Sequence, residues 1–234
     1  FFYTHTPPSP ILSGLVGSEM CIRDRYKFNN YIFDWSGTLV DDLGPVLDAT
    51  NRVFNHYGKD SFTREEFCSE FCLPFKIFYD KFLPEAPMSE LELLYTKFFN
   101  ESKENVFLLP GAKEILRECS NLGIKTYLLS SIKKQHFESQ SAKLGLLNVF
   151  DSAYTEALDK RDWITRLLKD NNISHDDTLF IGDMQHDIET ARHAGIFSVG
   201  VLTGYNSKEM IEVSKPDLIV NDLVELLEII VNKS

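Results

Sequence analysis

The stretch NNYIFDWSGTLVDD, residues 29–42, runs from an apolar segment into an abrupt turn and leaves a carboxylate, Asp34, at the break. Ser36, Gly37 and Thr38 follow it. Ser130 and Ser131 close the apolar run IKTYLLS, Lys160 stands at the start of a helical pattern, and GDMQHD sets Asp183 and Asp187 four residues apart. The set supplies three carboxylates, hydroxyls and an amine. A carboxylate can act as a nucleophile, and a few carboxylates together can hold a hard cation. Each piece alone also fits a plainer role: a turn for DWSGT, a helix N-cap for GDMQHD, a loop for Ser130, a solvated amine for Lys160. Their order, and their placement at the ends of apolar runs, gives them weight as a group.

The elements that must position them alternate. YIFDW is a short buried-strand pattern. After LLPG at 108–111, the segments AKEILRECSNLG, KKQHFESQSAKLG, RDWITRLLKDNN and HDIETARHAG read as helices. They alternate with strand patterns in IKTYLLS, SAYTEA, TLFIGD, IFSVGVL and DLIV, and DLVELLEIIV reads as a final helix. Alternation of this kind predicts an α/β fold, a Rossmann-like parallel sheet with helices on both faces. In such sheets ligands bind at the carboxyl ends of the strands, where the candidate residues fall. From 44 to 105 the pattern is helical throughout. GPVLDATNRVFNHYG ends at a helix-stopping glycine, TREEFCSEF opens with a capping box, and MSELELLYTKFFNESKEN is a further helix. Nine of the eighteen phenylalanines lie in this block, which predicts a helical subdomain with its own packing. The expected division is a core of 26–42 plus 108–234, with an inserted all-helical unit at 43–107.

The formal net charge of -11 disfavours nucleic acid and anionic membrane as general partners. An anionic substrate then requires a local cation or a metal. The four cysteines, Cys21, Cys68, Cys72 and Cys119, contain no CxxC pair and fit a reduced, cytoplasmic protein. Cys68 and Cys72, at i and i+4, could share one helix face, but no matching His/Cys pair accompanies them. No apolar run is long enough to span a bilayer. Residues 1–25 differ in character from the rest: Leu15 to Arg25, LVGSEMCIRDR, reads as a sequencing-library adapter translated in one frame. The expectation is a non-native leader that plays no part in the fold.

From about residue 30 onward the chain resembles the haloacid dehalogenase superfamily, in the subgroup with a helical cap inserted after the first strand. The first motif of that family, DxDGT, is matched by DWSGT except at its third position. Ser130, Lys160 and GDMQHD match the other three, and HAGIFSVGVLTGY and KPDLIVNDL resemble the tail of phosphoglycolate-phosphatase-like members. The resemblance implies a hydrolase of a small phosphorylated metabolite, working as a monomer or homodimer. Asp34 would form an aspartyl phosphate. Mg²⁺ would be held by the Asp34 carboxylate, the Ser36 carbonyl and Asp183, with Asp187 holding metal-bound water or orienting Lys160. Ser130, Ser131, Lys160 and the amides of Gly37 and Thr38 would grip the phosphoryl oxygens.

Ser36 stands where the family's general acid is usually found, and a hydroxyl cannot serve as a useful acid near neutral pH. General acid–base catalysis is worth typically ~10²–10⁴-fold, so its loss falls hardest on poor alkoxide leaving groups. Phosphonoacetaldehyde hydrolases carry DWAGT here and use an imine-forming cap lysine. Lys76 in CLPFKIFY is at a comparable place, though the flanking residues differ. A phosphate-binding protein of weak or no activity is a third reading.

Overall fold

The computed structural model of the chain describes residues 28–102 and 105–231, so the leader and its adapter-like segment lie outside the described residues. Strands β1 (Asn30–Phe33), β4 (Lys125–Leu129), β5 (Ser152–Tyr154), β6 (Thr178–Gly182), β7 (Phe197–Val201) and β8 (Leu218–Val220) form one sheet in the order β5-β4-β1-β6-β7-β8. Every pairing in it is parallel. β1 sits between β4 and β6, with Phe33 level with Leu128 on one side and Ile181 on the other. From β1 the chain builds outward first to β4 and β5, then to β6, β7 and β8. β1 is therefore the topological switch point, where open α/β sheets form their ligand crevice.

Period-two alternation gives the sheet two buried faces, which is why its strands read as continuous apolar runs. Tyr31, Phe33, Leu128 and Ile181 pack on one face with Ile115 and Leu116 of α5 (Ala112–Asn121) and Leu223 and Leu226 of α10 (Leu223–Val231). Ile32, Tyr127, Leu129 and Phe180 pack on the other with Ile164 and Leu167 of α7 (Lys160–Asp170) and Ala191 of α8 (Gln185–Ala194). Trp35 falls on the first face. Its indole Nε1 donates to Gln140 Oε1 at 2.6 Å and its ring meets Phe137 edge-on, so the tryptophan of DWSGT is a packing residue. Two further helices, α6 (Lys134–Leu144) and α9 (Lys208–Val213), complete the layers, and the sequence pattern had not shown the short α9.

Between β1 and β4 the chain forms α1 (Leu43–His56), α2 (Arg64–Glu70), α3 (Phe75–Phe82) and α4 (Met88–Glu101). Thr63 and Glu66 close the capping box of α2. All nine phenylalanines of this block join one apolar cluster, with Phe54, Phe67 and Phe78 fully buried at its centre. Met184 and Tyr205, from the sheet side, complete the same cluster. Cys72 lies beyond the end of α2, so it does not share a helix face with Cys68; both are half-buried thiols of this cluster. The block begins and ends at a two-stranded antiparallel ribbon, β2 (Val40–Asp41) against β3 (Phe107–Leu108). Two-residue strands are too short to show a sequence period, and this ribbon was not expected. Among the described residues no helix is long and apolar enough to cross a membrane.

Candidate active site

Asp34 is the first residue after β1, and Asp183 the first after β6. Lys160 opens α7, and Asp187 lies in the first turn of α8. The four side chains converge at the switch point and all are buried. The Lys160 ammonium, fully buried, lies 2.8 Å from Asp34 Oδ2 and donates to Asp187 Oδ1 at 2.6 Å. Asp187 Oδ2 accepts from the Met184 amide at 3.0 Å. Asp183 Oδ1 accepts from the Thr38 hydroxyl at 3.0 Å, and Oδ2 from the Tyr205 amide at 2.8 Å. Asp34 Oδ1 alone has no hydrogen-bond partner, although it is buried.

The loop after β1 is folded for this approach. The amides of Thr38, Leu39 and Val40 all donate to the Trp35 carbonyl and that of Gly37 to the Val40 carbonyl, so the Gly37 and Thr38 amides, expected to grip phosphoryl oxygens, are engaged within the loop instead. Gly37 has a φ of +73°, and a Cβ there would stand 2.3 Å from Asp183 Oδ2. Glycine is required both for the turn and for the passage of Asp183. At Gly182 a Cβ would strike the Asp187 side chain at 2.3 Å, which explains the glycine of GDMQHD.

Three carboxylates and one ammonium leave the cluster short of positive charge. Burial pushes the Asp34 carboxyl up against the pull of Lys160, with Asp187 adding to the rise. Burial, then Asp187 and Asp34, hold the Asp183 carboxyl well above the usual carboxylate range. Burial alone would lower the Lys160 ammonium, but Asp187 and Asp34 together hold it above its ordinary value. Ligand atoms of Asp34, Asp183 and Asp187 lie within 4.8 Å of one another. Buried carboxylates this close and short of counter-charge fit a hard divalent cation.

A cavity of about 290 Å³ opens over the cluster, lined by Asp34, Ser36 and Ser131 on the sheet side and by residues of the helical block above them. Ser130, the first residue after β4, is buried and, unlike Ser131, is not among the residues that line the cavity; its Oγ accepts from the Ile132 amide. The structure does not bring Lys76 to this cavity: its ammonium lies on the exposed face of α3, bonded to Asp80 one turn on. The cationic side chain that does line the cavity is Lys133, which donates to Thr96 Oγ1 at 2.7 Å.

Three participants, Asp42, Tyr205 and His186, were not singled out from the sequence. Asp42 accepts from the Ser36 hydroxyl at 2.6 Å through Oδ2 and from the Tyr205 hydroxyl at 3.0 Å through Oδ1. Burial pushes its carboxyl up to about 6, against those two hydrogen bonds. His186 accepts the Lys160 amide on Nε2 at 3.0 Å and so fixes the start of α7. Burial and the nearby ammonium pull its imidazole down to about 4, which keeps it a neutral acceptor. The signals were present, as the second acid of VDD and the histidine inside GDMQHD, but only the fold gives them partners.

The fold is that of an α/β protein, and the candidate residues gather at the carboxyl ends of its central strands. The model of the family described as haloacid dehalogenase-like hydrolase matches residues 31–201, and the chain belongs to that family. It is 24% identical over 201 residues to a phosphoglycolate phosphatase of Synechococcus elongatus, covering 84% of this chain and 94% of that protein. It is 23% identical over 212 residues to the pyrophosphatase PpaX of Anoxybacillus flavithermus, covering 87% and 97%. Among solved structures, a haloacid dehalogenase-like hydrolase from Streptococcus pneumoniae superposes with a TM-score of 0.78 at 21% identity, over 86% of this chain and 98% of that one. That last likeness is one of fold.

Proposed function

We propose that the chain is a Mg²⁺-dependent phosphatase of small phosphorylated metabolites, with Asp34 as its nucleophile and the helical block as a substrate-selecting cap. The observation that carries this reading is Asp34 itself. Lys160 holds Oδ2, while Oδ1 is buried and unpartnered on a residue that lines the cavity. One oxygen is thus anchored and the other is free to meet phosphorus. Asp34 and Asp183, with the Ser36 carbonyl, would hold the metal. The metal, when bound, supplies the charge neutralisation that a carboxylate needs to meet a phosphate dianion. Asp187 is committed to Lys160 and to the Met184 amide, and its role is to orient the lysine. Ser131 lines the cavity beside Asp34, where its hydroxyl can donate to a phosphoryl oxygen, with Ser130 supporting the same loop. Names borne by the relatives, phosphoglycolate phosphatase and pyrophosphatase, support phosphate release as the reaction class.

The test is phosphate release from acetyl phosphate, a small substrate whose leaving group needs no proton. Wild type with Mg²⁺ is expected to turn it over, and Asp34→Asn to fall to the uncatalysed rate. Equal rates in the two proteins would refute the reading.

A further inference from the structure

Ser36 and the wall of the cavity bear on one question, the nature of the leaving group. The Ser36 hydroxyl donates to Asp42 and is not free for an oxygen leaving phosphorus. Asp42 cannot replace it in this arrangement, because both its oxygens accept hydroxyl protons, from Ser36 and from Tyr205. Neither Ser36 nor Asp42 thus offers the leaving oxygen a proton. A substrate suited to this site is one whose leaving group departs as a stable anion.

The cavity says what that group looks like. Its upper wall is aromatic, with Phe71, Phe75, Tyr95 and Phe99 among the lining residues. Rings of this kind favour a flat, polarisable partner, stacked or edge-on. Its charged lining groups are mainly acidic: beside Asp34 they are Asp42, Glu92 and Glu156, with a single lysine, Lys133, already bonded to Thr96. A second anionic group on the substrate would meet more carboxylates than cations. At about 290 Å³ the space is at the small end of ligand cavities.

We infer that the substrate class is the phosphate monoester of a phenol-type hydroxyl on a small, uncharged ring. This rests on the phosphatase reading and deepens it. Asp34 Oδ1 forms a bond to phosphorus while the P–O bond to the ring breaks, its electron pair leaving on the phenolate. Phenolate is stable enough to leave unprotonated and takes its proton from water afterwards. Water then attacks the phosphorus of the aspartyl phosphate. The pair of the breaking bond returns to Asp34, and the proton of the attacking water passes to solvent.

The experiment is a panel of four phosphates that separates ring from leaving group. Phenyl phosphate has both the ring and the stable anion, benzyl phosphate the ring alone, acetyl phosphate the stable leaving group alone, and 2-phosphoglycolate neither. Phenyl phosphate is expected to have the highest kcat/KM. Its kcat should exceed that of benzyl phosphate by about 10²-fold or more, the usual worth of a general acid. Benzyl phosphate should still compete for the site. Tyr95→Ala should lower the phenyl-to-acetyl ratio of kcat/KM about tenfold, in line with the loss of aromatic contact. Benzyl phosphate or 2-phosphoglycolate turned over as well as phenyl phosphate would overturn the inference, and so would an unchanged ratio in Tyr95→Ala. Asp34-dependent hydrolysis of acetyl phosphate without a preference for phenyl phosphate would sink the inference and spare the phosphatase reading. Absence of any Asp34-dependent hydrolysis would sink both.

Discussion

Asp42→Asn is expected to stabilise the metal-free protein at neutral pH, and much less so in acid. Asp42 is 2% exposed, and burial raises its carboxyl from 3.8 to about 6 against the hydrogen bonds from Ser36 and Tyr205. Because the folded state holds this proton more tightly than the unfolded chain, the associated stability is fully present below pH 3.8. It is lost as pH rises through about 6. A shift of roughly two units corresponds to about 3 kcal/mol at neutral pH. The amide keeps one acceptor for a neighbouring hydroxyl but brings N–H groups that need partners of their own. A net gain of about 1–2 kcal/mol is expected, or about 2–8 °C in Tm for a domain of this size. The assay is thermal unfolding of both proteins in chelator at about pH 7.5 and about pH 4. His186 acts in the opposite direction, since its imidazole is lowered to about 4 and its contribution is lost as pH falls from 6.5 through that value. Comparing the two proteins at each pH removes most of that background. A variant less stable than wild type at pH 7.5, or shifted equally at both pH values, would refute the reasoning.

Lys160→Met should cost about 3–5 kcal/mol at neutral pH, because it strands Asp34 and Asp187 as buried unpaired carboxylates; urea unfolding near pH 5 should show a smaller loss. Mg²⁺ should raise the Tm of wild type by mass action and do little for Asp183→Ala, and calorimetry finding equal Mg²⁺ binding by both proteins would remove the proposed metal site. Ser36→Asp should raise kcat on benzyl phosphate by about 10²-fold if it restores a general acid. The same variant should be less stable than wild type at pH 7.5, since the new carboxylate faces Asp42 in place of a hydroxyl that donates at 2.6 Å.

Much of the fold was legible because the central strands are buried on both faces. β1, β4 and β6 therefore appear as apolar runs followed by aspartate or serine, and that break marks the strand end at which the candidate residues gather. Asp34, Lys160, Asp183 and Asp187 could be gathered from order and spacing alone. Their division of labour could not. Asp187 binding Lys160 and Asp183 accepting from Thr38 and Tyr205 are matters of rotamer and register. Asp42 and Tyr205 meet across 163 residues of sequence, and no local pattern encodes that contact. Lys76 shows the opposite failure. A suggestive spacing named a lysine that sits on the exposed side of α3, while Lys133, between β4 and α6, reaches the cavity. Trp35, which spelled a resemblance, turned out to pack under the sheet against Phe137.

The central claim is that Asp34 takes the phosphoryl group from the substrate. The most direct measurement is an acid quench of the Mg²⁺-loaded protein during turnover of acetyl phosphate or phenyl phosphate, followed by peptide mass spectrometry. A phosphoryl adduct is expected on the peptide that carries Asp34, assigned by fragmentation to that residue, discharged by hydroxylamine and absent from Asp34→Asn. Turnover with no adduct on Asp34 at any quench time, or an adduct on another residue that persists in Asp34→Asn, would contradict it.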